Sequence, residues 1–209
     1  MTTFRINTGE LGPIEISYSW PRTIDELLAS QIIALIRATT RSTPIIGFGT
    51  EVSDTQAQAF IEELRAGLAG GKIHYLAVKT PAGQLVGQCI LRRNLNPNNC
   101  HIADLGKGVV DERFRDGGAI LAAAFLVIAD VCDQQGIQLL TLDVRAGTRA
   151  HKIWERFGFK CYGFLDDYAR SQGQSFAGYF MSQRVESLRK VAHRIAERAS
   201  VQVEKERAA

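Results

Sequence analysis

The chain has 209 residues, of which 45% are hydrophobic and 22% charged, and a net charge of +3. That composition belongs to a globular chain long enough to bury a core, and it excludes a disordered tail protein. Nineteen scattered Gly and five Pro exclude collagen-like and low-complexity readings.

From Arg184 onward there are seven Lys/Arg and four Asp/Glu, so this segment carries the whole excess and the body is neutral. No strong nucleic-acid signal follows from that balance. The longest apolar run, Ala119 to Ala129, has eleven residues, against roughly 20 for a bilayer span. MTTFRINTGELG holds no apolar signal core. The expectation is a soluble, cytoplasmic protein with no membrane partner. Cys89, Cys100, Cys132 and Cys161 make no C-x-x-C pair, and His74, His101, His151 and His193 make no H-x-x-x-H pair. Reduced thiols in a packed core and no metal site are expected.

In chain order, Ile14 to Tyr18 alternates as a short strand. Thr23-Ile-Asp-Glu26 has the form of a capping box and opens a helix to about Thr40. Arg41 to Thr50 reads as a loop broken by Pro44, Gly47 and Gly49. Ser53-Asp-Thr-Gln56 is a second capping box, with a helix to about Ala69. Ile73 to Lys79 and Leu85 to Arg92 form a hairpin around Pro81-Ala-Gly83. After the polar turn Asn94 to Asn99, His101 to Val110 is a strand weakened by Gly106 and Gly108, which act either as bulge formers or to clear space for substrate. Gly117-Gly118 precedes a long apolar helix ending near Gln135, with Gly136 as its C′ residue. Ile137 to Val144 is a buried strand, and Thr148 caps a short helix that Gly158 stops. Phe159 to Asp166 and Phe176 to Arg184 are strands, and Val185, Leu188, Ala192, Ile195 and Ala199 mark an amphipathic tail helix. The order implies an α/β (α+β) fold, a mixed sheet with helices on its faces.

Val109-Val110-Asp-Glu-Arg113-Phe-Arg115-Asp116-Gly117-Gly118-Ala119-Ile120 is the most informative stretch. A strand ends, two Arg and two Gly follow, and a helix begins. The first turn of a helix offers free N–H groups and the positive dipole end; Gly lets a phosphate approach, and Arg adds charge. The chemistry is that of a pyrophosphate cradle. It is neither a Walker loop, lacking G-K-[ST], nor G-x-G-x-x-G.

This stretch resembles the acyl-CoA-binding loop of the GNAT superfamily of N-acyltransferases, [RQ]-x-x-G-x-[GA] between a strand and a helix. Arg115-Asp-Gly-Gly118 supplies the first four positions. Downstream, Leu142-Asp-Val144 and His151-Lys-Ile-Trp154-Glu-Arg-Phe-Gly158-Phe159 are similar to the family's second hallmark, a strand and a short helix ending L-Y-E-x-x-G-F. The likeness covers about residues 73 to 183. It implies an acyltransferase domain over 1–183, with a basic amphipathic C-terminal helix over 184–209. It also implies a mostly antiparallel central sheet with one splayed parallel strand pair. The sequence departs from the pattern at Ile120, where Gly or Ala is usual. Trp154 replaces a Tyr that can protonate the leaving thiolate, and Thr148 replaces an Asn. Shifting the register by one restores a small residue, Ala119, but puts Phe114 at the Arg position, so the Arg115 register is kept.

By resemblance, the reaction is direct transfer of an acetyl group from acetyl-CoA to a primary amine. The cofactor lies where the strands around Asp104 to Val110 and Leu139 to Val144 splay. Backbone groups of Val109 and Val110 pair with pantetheine amides, and Arg113, Arg115 and residues 116–120 hold the pyrophosphate. Thr148 and Trp154 line the second motif. Asp104, eleven residues before Arg115, is the first candidate base, with a structural role (pairing with Lys107) as its alternative. Asp143 follows it. Tyr162 is the candidate acid, with Tyr168 beside it, although thiolate departure without an acid is also chemically sound. The expected acceptor is a small-molecule amine, such as an amino acid or an amine-bearing antibiotic. The alternatives are a protein or aminoacyl-tRNA amine, or a non-catalytic acyl-CoA-binding module. The tail helix either packs on the body or serves a homodimer contact.

Overall fold

A computed structural model of the chain describes residues 1–8, 12–42, 47–48, 51–115 and 118–206. Its elements are β1 (Thr2–Thr8), β2 (Gly12–Ser19), α1 (Glu26–Ser42), α2 (Asp54–Ala69), β3 (Ile73–Lys79), β4 (Leu85–Arg93), β5 (Ile102–Val110), a 3-10 turn (Glu112–Phe114), α3 (Ala119–Gln134), β6 (Leu139–Arg145), α4 (Arg149–Arg156), β7 (Lys160–Ser171), β8 (Gln174–Arg184), α5 (Val185–Arg198) and β9 (Gln202–Glu206). Among the described residues the strands form one sheet in the order β7-β8-β6-β5-β4-β3-β2-β1-β9. Every neighbouring pair is antiparallel except β5 with β6.

Capping chemistry sets the helix starts. At α2 both halves of the expected box are present, Gln56 N–H to Ser53 Oγ at 3.2 Å and Ser53 N–H to Gln56 Oε1 at 3.0 Å. At α1 the expected Thr23–Glu26 box gives way to Asp25, which accepts the Leu28 N–H at 2.7 Å and starts the helix at Glu26. At the end of α3, Gly136 takes φ +70° and the Ile137 N–H reaches back to Cys132 O at 2.8 Å, the Schellman closure expected of a C′ glycine.

The sheet separates two cores. Tyr75, Ile90 and Val109 face α1 and α2. Leu76, Leu91, Leu105, Leu140 and Leu142 face α3 and α5. The first eleven residues of α3, 119–129, are apolar and buried apart from the half-buried Leu121, which explains their lack of a polar face.

Two strands stand where the sequence pattern indicates none. β1 places Phe4 and Ile6 in the main core and pairs with β2. The tail leaves its helix at Ala199, and β9 pairs with β1. The segment expected as one helix from residue 184 thus holds α5 and then β9. The apolar stripe of α5, including Leu188 and Ala192, is buried within the main core.

Two features of β5 position the site. The first is a β-bulge: Gln88 faces Val109 while Ile90 faces Gly106, and Lys107 sits at φ +50° between the two glycines. The second is a split. β5 and β6 pair only at Ile102–Leu139, Ala103–Leu140 and Asp104–Thr141. Beyond Asp104, β5 stays with β4 and β6 stays with β8, so the parallel strands part and open a crevice at their carboxyl ends.

Candidate active site

The mouth of the crevice is built from the end of β5. The Asp111 N–H donates to Val86 O on β4 at 2.8 Å. By strand alternation Val109 also points toward β4, and Val110 points into the split. Of the two valines expected to meet pantetheine, Val110 is thus on the open edge. Its carbonyl accepts from Arg115 Nε at 2.7 Å. Arg113 is held by Asp111, with Nη2 to Oδ2 at 2.8 Å, and Arg115 also reaches Glu112 at 3.3 Å. Both arginines stay at the turn expected to bind pyrophosphate, each already paired with a neighbouring carboxylate. Asp116 and Gly117 lie outside the described residues.

Gly118 is the N-cap of α3, at φ +92°, a left-handed conformation that glycine adopts without steric cost. Among the described residues no side chain caps this end, and the first turn of the helix holds no acidic residue. Because the helix ladder begins with Ala122 N–H to Gly118 O at 2.8 Å, the amides of Ala119, Ile120 and Leu121 have no intrahelical acceptor. Ile120 is only 2% exposed and lies in the main core, and Tyr18 Oη donates to its carbonyl at 3.1 Å. A Cβ added at Gly118 would lie 3.7 Å from Arg156 Nη1. The guanidinium of α4 therefore stands at the α3 N-terminus. Arg156 carried no role in the sequence reading, because only folding brings it to this corner. Uncapped amides, a left-handed glycine and this cation fit the diphosphate of CoA.

Thr148 caps α4 as expected, accepting the His151 N–H at 3.2 Å while its hydroxyl donates to Arg145 O at 2.8 Å. Trp154 is half-buried against the core, with ring centroids 5.8 Å from Phe125 and 5.3 Å from Phe159.

Asp104 sits at the apex of the split, on the sheet face that α1 and α2 cover further along. Thr141 Oγ1 donates to its carboxylate at 3.1 Å. Burial raises its pKa above the ordinary carboxylate value; Thr141 opposes the rise, Asp143 adds to it and Arg92 lowers it. Arg92 bonds Glu63 of α2 at 2.8 Å, and its Nη1 lies over Gly106, where an added Cβ would approach to 2.9 Å. Gly106 is thus part of the bulge, and the space above it, expected as room for substrate, is taken by Arg92. Lys107, the alternative partner of Asp104, has its Nζ over the Phe48 ring, 4.7 Å from the centroid.

On the same face, Tyr168 donates to Asp143, and a Cβ at Gly178 would overlap the Tyr168 ring, so the bare backbone there admits the tyrosine. Tyr162 is 63% exposed; slight burial and the charges of Asp104 and Asp143 raise its pKa. His151 stacks on Tyr179 at 4.6 Å, and His101 is exposed. Burial pushes the Cys89 and Cys132 thiols up to about 12, which leaves them inert as nucleophiles. Among the described residues no cluster of ligating side chains could hold a metal ion, and no helix is long and apolar enough to cross a membrane. A cavity of about 470 Å³ opens beside Asp104 and Thr141.

No family model matches the chain, and no curated protein matches it. Solved structures do. Mycobacterium smegmatis RimJ in complex with CoA-disulfide superposes with a TM-score of 0.69 at 18% identity, covering 96% of this chain and 94% of that one. A ribosomal-protein-alanine N-acetyltransferase from Brucella melitensis gives 0.65 at 18% identity, covering 80% and 99%. An acetyltransferase of the GNAT family from Streptococcus pneumoniae gives 0.64 at 14% identity, covering 81% and 98%.

Proposed function

We propose that this chain, whose fold is that of the GNAT acetyltransferases, is an acetyl-CoA-dependent N-acetyltransferase acting on a primary amine of a small molecule. The observation that carries the reading is a conjunction. An uncapped helix N-terminus stands at one end of a split parallel strand pair, and a carboxylate with a raised pKa stands at the apex.

In this reading the amides of Ala119, Ile120 and Leu121 and the Arg156 guanidinium hold the diphosphate, with Arg113 and Arg115 released from their carboxylates to join them. The open edge at Val110 takes the pantetheine as an added strand would be taken. Acetyl-CoA supplies an activated thioester. An amine attacks only when neutral, so Asp104 accepts its proton, directly or through a water. Tyr162 is the better-placed proton donor for the departing sulfur, since the Tyr168 hydroxyl is already committed to Asp143. The carboxylates of Asp104 and Asp143 attract a cationic ammonium at short range.

A cavity of about 470 Å³ is of small-ligand size, which supports a metabolite-sized acceptor. A second reading, acylation of a protein amine, draws support from the superposition on the ribosomal-protein-alanine N-acetyltransferase, which extends over 80% of this chain. The test is release of free thiol from acetyl-CoA across a panel of small amines, amino acids and peptides. Amine-dependent release supports the reading, and faster release with peptides than with every small amine favours the second. CoA binding without release for any amine would leave a binding module in its place.

A further inference from the structure

The sheet face that carries Asp104 does not end at the crevice. On that face α1 and α2 pack over β3, β4 and β5. Further along, the face passes to β6, β8 and β7, whose opposite side belongs to the main core through Leu142, Val144 and Met181. Strand pairing fixes which side chains share it. Thr141 is the partner of Asp104, Phe180 that of Asp143, and Gly178 that of Arg145. A solvated face of an antiparallel sheet ordinarily presents polar residues. This one presents rings. The Phe180 centroid lies 6.4 Å from that of Tyr162 and 6.2 Å from that of Tyr168, which meets it edge-on at 88°. Tyr168 is fixed by its hydroxyl on Asp143 and by the bare backbone at Gly178. The Arg145 guanidinium covers the Phe176 ring, 3.9 Å from its centroid, and closes the row at that end. Tyr162 is 63% exposed, and the charges of Asp104 and Asp143 both act on it. Contiguous exposed apolar surface marks a binding site, and here two carboxylates adjoin it.

We infer that Phe180, with Tyr162 and Tyr168 beside it, is a platform for the body of the acceptor, and that the acceptor is an arylalkylamine: an aromatic ring on a short alkyl arm that ends in a primary amine. This rests on the transferase reading and names its substrate class. The ammonium is drawn to Asp104 and Asp143, and the ring lies on Phe180 in the offset or edge-to-face contact that aromatic pairs prefer. Asp143 and Phe180 are direct cross-strand partners, with Cβ atoms about 5 Å apart in such pairs, so one small molecule reaches both. In the transfer the amine nitrogen bonds the acetyl carbon, the C–S bond breaks with its electron pair on sulfur, and the amine proton passes to Asp104. A plain alkylamine would meet the carboxylates and leave the rings in water, and an amino sugar would lay hydroxyl groups against them.

The experiment uses the full chain with saturating CoA. Phenethylamine, cyclohexylethylamine and ethylamine are titrated for binding, and the same three are assayed with acetyl-CoA for thiol release. Phenethylamine should bind about tenfold or more tightly than ethylamine, from the apolar area it buries. It should bind about two- to tenfold more tightly than cyclohexylethylamine, from ring-on-ring geometry. Phe180→Leu should remove the margin over the cyclohexyl analogue and raise KM for phenethylamine, with kcat and CoA affinity unchanged, and Phe180→Tyr should keep the margin. The wild-type margins decide the matter alone if the Leu variant fails to fold. Ethylamine or cyclohexylethylamine binding as tightly as phenethylamine, or a margin unaltered in Phe180→Leu, overturns the platform, even where all three amines release thiol. The aryl margin in binding with no thiol release from any amine would retain the platform and overturn the transferase reading instead.

Discussion

Asp104→Asn should lower kcat by about 10²–10⁴-fold, the usual contribution of a positioned general base, while the fold holds or gains stability. The two effects separate because of the sign of the pKa shift. Burial is the largest cause and raises the carboxyl above its unfolded value, so the native state favours the neutral form. Asp104 is thus most compatible with the fold below the unfolded carboxylate range, and that compatibility is lost as pH rises through the folded pKa. At neutral pH the ionised group is a liability to stability. Asparagine removes that liability and keeps an acceptor for Thr141. Activity runs the other way, since the base works only when ionised. The acid limb of kcat/KM should therefore lie above the ordinary carboxylate pKa in the wild type and vanish in the variant. Pre-steady-state rates across pH, with melting curves beside them, check both statements. An unchanged limb and rate would remove Asp104 from the role.

Gly118→Val should eliminate CoA binding. Valine is a steric outlier at φ +92°, with strain of about 1–3 kcal/mol. The first turn must re-form, and the amides of Ala119 to Leu121 lose their common direction. Wild-type protein at a CoA concentration of about 100 times Kd should gain about 2.7 kcal/mol, which is about 5–10 °C in Tm for a chain of this size. The variant should melt at one temperature with and without CoA. A full CoA shift in the variant would place the diphosphate elsewhere.

The parts of the fold that were legible are those with strong local chemistry. Ser53 and Gln56 announced α2, and Gly136 announced the end of α3, because caps are satisfied within a few residues. Gly106 and Gly108 announced the bulge, but the left-handed residue is Lys107 between them, held by the strand pairing around it. The edge strands β1 and β9 were not legible. Among the residues of β1 whose burial is described, only Phe4 and Ile6 are buried. β9, Gln202–Glu206, has Val203 as its one apolar residue among charges and polar groups, as protected sheet edges usually do. The candidate site divides the same way. The turn from Arg113 to Ile120 is contiguous, so its pattern stands in the sequence. Arg156 gains meaning only when α4 is folded against the start of α3, and no spacing rule reports that.

The central claim, that the start of α3 receives the diphosphate of CoA, is tested most directly by a titration of CoA followed on backbone amide resonances. Gly118, Ala119, Ile120 and Leu121 should shift together and saturate with a single Kd, with the Arg156 guanidinium moving in step. Saturable binding that leaves those four amides still, or no binding at all, would contradict the account.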